Sequence, residues 1–254
     1  MIPKLSRIRN SVLLTAWQLV ISALILMVLV RTGSNRTLAA EPNEITATFS
    51  IVAVDPETGE VGAAVASKYP AVGKVVPIVE LGVGAFCTQH HHVPTWRSEA
   101  IGMLKEGIAP EQVLANLLKD DLHREMRQLA IIDTQGRTAV HNPTQAPEQS
   151  RYWGAMTGRF YCCQGNTLTG SEVIIAMAKA YESTSGTLAD RLMAAMEAGD
   201  EAGGDHRGRL AAGIRYAIGG DKPVTLELDV DNSSNAVREL AAKYAEMKKS
   251  SQVR

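Results

Sequence analysis

The sequence predicts a mixed α+β domain, and three observations carry that expectation. Apolar residues alternate with period two in short runs, as in Phe49, Ile51 and Ala53 against Ser50, Val52 and Val54, which is the mark of a strand. Elsewhere they recur with helical spacing, as in Val113, Leu114, Leu117 and Leu118 after Pro110. The two patterns come in blocks: strands, two helices, strands, two helices, strands, helix. Two sheets packed face to face with helices outside both satisfy that order, because each layer needs a partner for its apolar face.

Composition bounds the function. With 254 residues, 45% hydrophobic content and a net charge of -1, the chain builds one core of ordinary size and gives no electrostatic reason to expect a nucleic-acid partner. Aromatics are scarce at 5%, so the core is closely packed sheet and helix. Cys87, Cys162 and Cys163 are too few for a disulfide framework. They read as small core residues, with a single bridge, or a vicinal Cys162–Cys163 bond, as the alternative.

At the N-terminus, Lys4, Arg7 and Arg9 precede the uncharged run Ser11 to Val30. That run is long enough to span a bilayer, and its positive flank keeps the N-terminus in the cytoplasm. Two alternatives stay open: an uncut signal-anchor helix, or a signal peptide cleaved near Thr37-Leu38-Ala39 or Leu38-Ala39-Ala40. Both place the domain on the extracytoplasmic side of the cytoplasmic membrane. Residues 1–30 are therefore expected as the apolar helix, 31–46 as a tether and 47–254 as the folded domain.

Thr48 to Ser67 reads as a buried hairpin, with turn chemistry at Asp55-Pro56-Glu57-Thr58-Gly59 and small residues (Gly62, Ala63, Ala64, Ala66) filling its second strand. Lys68 to Lys74 reads as a loop. Val75 to Glu80 and Gly82 to Thr88 give two more strands, so that four successive strands form the first half of one sheet. From Trp96 the period changes to two helices. Leu129 to Asp133 and Arg137 to His141 form a hairpin about Thr134-Gln135-Gly136, and residues 142 to 159, polar and holding Pro143 and Pro147, read as a long loop. Phe160 to Gln164 is a short strand leading into Gly165-Asn166. Ser171 is placed as the N-cap of one helix, and Thr187 with Asp190 gives the capping-box signature of the next. Leu210 to Ile218 and Val224 to Val230 are strands, and Asn235 to Lys248 is a closing amphipathic helix.

Five collinear blocks, TFSIVAVDPETGEVGAAVASKYPAVG, GVGAFCTQ, LAIIDTQGRTAVH, QGNTL and LMAAMEAGDEAGGDHRGR, cover roughly residues 46 to 242. In them the chain resembles the DUF1028 family, uncharacterised bacterial proteins assigned to the N-terminal-nucleophile (Ntn) hydrolase superfamily. The resemblance implies a four-layer αββα sandwich and an Ntn-type hydrolase with neither metal nor organic cofactor.

In such an enzyme the first residue of a strand is the nucleophile and its own α-amine is the general base. A hydroxyl needs a base within hydrogen-bond reach, and an α-amine titrates at about 7.7 to 8.0, close to operating pH. Thr48 heads the hairpin and fits that role once the bond after Ala47 is cut, with self-cleavage the natural route; otherwise it is a β-branched strand residue that only packs. Ser67 and Lys68 end the second strand beside it, placed to orient the amine or to stabilise developing charge, or else to bond the loop backbone and to face water. Lys68 stands where the family has arginine, and the two differ in how they grip a carboxylate. Gln89, closing GVGAFCTQ, is a candidate oxyanion donor. Asp205 and Arg207, in the Gly-rich block, are placed to hold the amine and carboxylate of a zwitterionic substrate, or to pair with each other. Gln164 and Asn166 enter as cavity residues through the family block alone. That Gly-rich block continues in the family with Gln-Ser, and here with Leu210-Ala211. His90-His91-His92 lacks a third ligand at metal spacing and reads as an ordinary loop.

The expected function is hydrolysis of amide bonds in small peptides or amino-acid derivatives outside the cytoplasmic membrane. The expected partners are a small-molecule or peptide substrate, the membrane if the N-terminal helix is uncut, and a second copy of the chain if it is a homo-oligomer. The alternative is a non-catalytic binding protein of the same fold.

Overall fold

The computed structural model describes residues 48–145, 148–220 and 223–252. The apolar helix and tether expected over 1–30 and 31–46 lie outside them. Among the described residues no helix is long and apolar enough to cross a membrane.

The chain runs β1 (Thr48–Asp55), β2 (Glu60–Ser67), a one-turn helix α1 (Val72–Val75), β3 (Pro77–Glu80), β4 (Gly84–His90), α2 (Trp96–Lys105), α3 (Pro110–Leu118), β5 (Arg127–Asp133) and β6 (Thr138–His141). It continues with β7 (Tyr152–Gly158), β8 (Tyr161–Leu168), α4 (Glu172–Ser183), α5 (Leu188–Glu201), β9 (Ala211–Ile218), β10 (Val224–Val230) and α6 (Ala236–Gln252). The fold is mixed α+β. One antiparallel sheet has the order β10-β9-β2-β1-β8-β7 and the other β3-β4-β5-β6.

Alternation along each strand decides what meets what. On β1, Phe49, Ile51 and Ala53 pack with Leu188, Leu192, Met196 and Leu240 of the helices. Val52 and Val54 point the other way and pack with Ala85, Cys87, Ala130 and Ile132 of the four-stranded sheet. The outward face of that sheet, with Phe86, Leu129 and Ile131, is covered by Trp96, Ile101, Leu104, Val113 and Leu117 of α2 and α3. The two sheets thus face each other, with helices on both outer faces.

The β1–β2 hairpin runs in the expected register, from Thr48 opposite Ser67 to Asp55 opposite Glu60. The Asp55 carboxylate closes the turn by accepting from the backbone N–H of Glu57 at 3.0 Å. At α5 the capping box is complete: the Thr187 hydroxyl accepts from Asp190 N, and the Asp190 carboxylate from Thr187 N. Ser171 occupies the N-cap of α4 with helical dihedrals and no side-chain cap bond.

Several elements differ from expectation. The first four strands do not share a sheet. The free edge of β2 is taken by β9, and the chain crosses through α1 to start the second sheet at β3. Residues 142–159 are not all loop: β7 pairs with β8, and a register shift between Tyr152 and Gly154 breaks the alternation that would have marked a strand. Strand β8 continues past Gln164 to Leu168, and β5 begins at Arg127, two residues before the apolar run. All three cysteines are free and buried.

Candidate active site

Five polar residues singled out by sequence, Thr48, Ser67, Gln89, Gln164 and Asn166, meet at one end of the sandwich. The same alternation that points Val52 and Val54 between the sheets points Thr48 and Ser50 there too. Ser67 shares its face with Val65, Gln164 and Asn166 with Cys162, Gln89 with Cys87, and Gln128 with Ala130. The inter-sheet layer is therefore apolar at one end and polar at the other. Thr48, Ser50, Ser67, Gln89, Gln128, Gln164 and Asn166 are each 0% exposed. Burying that many polar groups is costly unless they pair, and each of these residues takes part in at least one hydrogen bond.

The chain of bonds crosses between sheets. Ser50 Oγ donates to Gln89 Oε1 at 2.7 Å, and Gln89 Nε2 donates to the Thr48 carbonyl at 3.3 Å and to Gln128 Oε1 at 2.6 Å. Asn166 Nδ2 donates to the same Gln128 oxygen at 2.9 Å. Gln128 Nε2 in turn reaches Asn142 Oδ1 at 2.5 Å and the Gly165 carbonyl at 2.9 Å. Gln164 Nε2 donates to Ser50 Oγ at 3.4 Å, while its Oε1 is buried without a hydrogen-bond partner. Both Gln89 N–H groups are committed, so this side chain anchors Thr48 from the facing sheet. Thr48 Oγ1 lies 3.4 Å from Ser67 Oγ. On its other side β1 pairs Phe49 with Gly165, a register that sets Asn166 beside Thr48 one residue further on.

The Gly-rich segment after α5 closes over this end of the sheet. It bridges the two strands that flank β1: Gly204 O accepts from Thr169 N, His206 N donates to Thr167 O, and Leu210 N donates to Ser67 O at 2.8 Å. Gly203 and Gly204 turn with φ of 110° and 51°, and a Cβ on Gly204 would sit 2.9 Å from the Phe49 ring, so the chain turns there only without a side chain. Asp205, 0% exposed, is thereby held at the strand ends. Its carboxylate accepts from Arg207 Nη2 at 2.8 Å, from Arg207 N at 2.9 Å, and from Lys68 N at 3.4 Å. Asp205 and Arg207 therefore pair with each other. Lys68 meets Asp205 through its backbone, with its side chain exposed.

His90 and Trp153 border the polar end and were not among the residues that sequence reasoning selected. His90 closes β4 with φ of 63°, a left-handed conformation uncommon outside glycine. Its Nδ1 lies 3.0 Å from the Met126 carbonyl, and its ring stacks on Trp153 at 4.3 Å. Burial pushes its pKa down to about 4; the Met126 carbonyl opposes this, and His91, Arg207 and Arg127 add to it. Trp153 Nε1 is buried without a hydrogen-bond partner. Burial likewise pushes the Cys87 thiol up to about 12, with the neighbouring Ser50 opposing the shift. Gln128, the hub of the network, was also missed; its signal was the pairing of its parity with Ala130 and Ile132. Among the described residues no group of three or more His, Cys, Asp or Glu side chains is placed to hold a metal ion.

A profile described as a family of unknown function, DUF1028, matches residues 48–240. Among solved structures, a crystal structure of a Silicibacter pomeroyi protein assigned to that family matches at 30% sequence identity with a TM-score of 0.70, covering 79% of this chain and 89% of that one. The search of curated proteins gave no match.

Proposed function

This chain belongs to the DUF1028 family, whose function is unknown, and we propose from the geometry at Thr48 that it is an Ntn-type hydrolase of amide bonds in small peptides or amino-acid derivatives. The observation that carries this reading is the position of Thr48. It is the first residue of a central strand, its side chain points between two facing sheets, and its hydroxyl lies 3.4 Å from that of Ser67. Facing antiparallel sheets with helices outside both is also the layer order that the Ntn superfamily implies. The uncharged run Ser11 to Val30 with its positive flank supports an activity outside the cytoplasmic membrane.

Cleavage of the bond between Ala47 and Thr48 frees the α-amine. That amine takes the Oγ1 proton as the oxygen attacks a substrate carbonyl, and passes it to the leaving amine as the C–N bond breaks. The resulting ester is hydrolysed by water, which the same amine deprotonates, and Thr48 is regenerated. Gln89 fixes the Thr48 carbonyl throughout, and Ser67 orients the hydroxyl. Asp205, paired with Arg207 and accepting from Lys68 N, holds the end of β2 next to Ser67 in place. Gln164 and Asn166 stand on the same inward face of the neighbouring strand β8.

One observation favours a second reading, a binding protein without turnover. Ala211 stands opposite Ser67 on β9, where the family pattern has serine, so a third hydroxyl of this end of the sheet is missing. Incubating the purified mature protein and its Thr48→Ala variant with a panel of dipeptides and N-acyl amino acids, and following amine release, separates the two. Turnover lost in Thr48→Ala supports the hydrolase; saturable binding with no amine release supports the binding protein.

A further inference from the structure

A separate cleft of about 60 Å³ opens at the edge of the sandwich between β3 and the β9–β10 hairpin, lined by Pro77, Val79, Arg97, Arg215, Leu226 and Glu227 among others. It is distinct from the polar end described above. Arg215 is level with Ala63 on β2, four residues along from the Ser67–Ala211 pair, or about 13 Å at 3.3 Å per residue.

Two guanidinium groups face this cleft, and each is fixed by bonds that leave its Nε–H uncommitted. Arg215 is only 8% exposed. Its Nη1 donates to the Ile214 carbonyl at 3.0 Å, and its Nη2 to both oxygens of Asp229 at 3.0 and 2.9 Å. Its Nε faces Glu227 Oε2 at 3.6 Å, beyond hydrogen-bond range, and the Glu227 side chain is 65% exposed. From the other side, Arg97 donates through Nη1 to the Lys74 carbonyl at 2.6 Å, while its Nε is buried without a partner.

The platform beneath them is rigid. A Cβ on Gly73 would lie 2.0 Å from Asp229 Oδ1, and one on Gly213 would lie 2.6 Å from it, so the carboxylate that holds Arg215 is wedged between two bare backbones. Asp229 already compensates Arg215, and the charged form of Arg97 is disfavoured, first by desolvation and also by Arg215. A small oxyanion accepting from both Nε–H groups offsets that cost and satisfies the two donors, because planar guanidinium groups match oxygen anions in both charge and geometry.

We propose that the Arg97–Arg215 cleft binds a small oxyanion, a phosphate or a carboxylate, with Glu227 as the competing carboxylate that such an anion displaces. The volume accommodates a group of that size. The test is thermal unfolding of the full chain titrated with sodium phosphate, sodium acetate or sodium chloride at matched ionic strength.

The expected result is a saturable rise in melting temperature with phosphate or with acetate, whichever is the ligand, and none with chloride. Arg97→Gln is expected to weaken the midpoint by ~10-fold or more, and Glu227→Gln to tighten it several-fold. Equal rises in all three salts overturn the proposal, as does a midpoint unchanged in Arg97→Gln. If Arg97→Gln does not fold, Glu227→Gln decides alone: a tighter midpoint supports the site and an unchanged one overturns it.

Discussion

Ala211 faces Ser67 across the β2–β9 ladder, and Ser67 Oγ stands 3.4 Å from the hydroxyl of Thr48. A single methyl group thus sits where a third hydroxyl would join the inward face of three adjacent strands. Ala211→Ser is expected to raise kcat/KM for amide hydrolysis by about 10-fold, less than the roughly 100-fold or more of a group that itself transfers the proton. The measurement is steady-state amine release, with Thr48→Ala/Ala211→Ser as the control that stays inactive.

Gln128 is the joint of the buried network, accepting from Gln89 and Asn166 and donating to Asn142 and Gly165. Gln128→Ala leaves several buried donors and acceptors unsatisfied, and it is expected to cost about 2–4 kcal/mol. Urea unfolding reads this as a fall in midpoint with unchanged slope. The loss exceeds that of an exposed control such as Gln112→Ala, whose amide donates to Asn116 on the surface of α3.

The placement of these polar residues explains how much of the molecule was legible beforehand. The start of β1, its hairpin register and the capping box at Thr187 were readable because local chemistry fixes them: alternation, turn residues and a side-chain cap. The switch of β3 and β4 to a second sheet was not, since strands of either sheet show the same alternation. Nor was β7, where the shift between Tyr152 and Gly154 erases the period. Gln128 escaped because a polar residue next to an apolar run looks like a strand's solvent face. Only the opposite sheet, which brings Asn166 to it from 38 residues along the chain, turns that face inward. His90 read as loop because its left-handed backbone is set by tertiary packing against Met126 and Trp153.

His90 gives the fold a defined acid sensitivity. Its folded pKa of about 4 lies below the ordinary value of 6.5, so the unfolded chain binds the extra proton between those limits. Stability from this group is complete above pH 6.5 and is lost as pH falls toward 4, by up to about 3 kcal/mol. Unfolding free energies measured across that window are expected to fall less steeply in His90→Gln than in the parent protein.

The cysteines are expected to be silent. Burial pushes Cys87 and Cys162 up to about 12 and Cys163 well above its usual value, so none presents a thiolate at neutral pH. A disulfide reagent added to the folded protein at pH 8 is expected to label none of the three, and in denaturant all three.

Thr48 can act as both nucleophile and base only with a free α-amine, so the most direct measurement is N-terminal sequencing with intact mass on protein purified from its native membrane or export fraction. A mature chain beginning at Thr48 is the predicted result, with the Thr48→Ala chain retaining the residues before position 48. A chain that begins at Met1 or near Glu41, with no trace of a Thr48 terminus, contradicts the hydrolase mechanism.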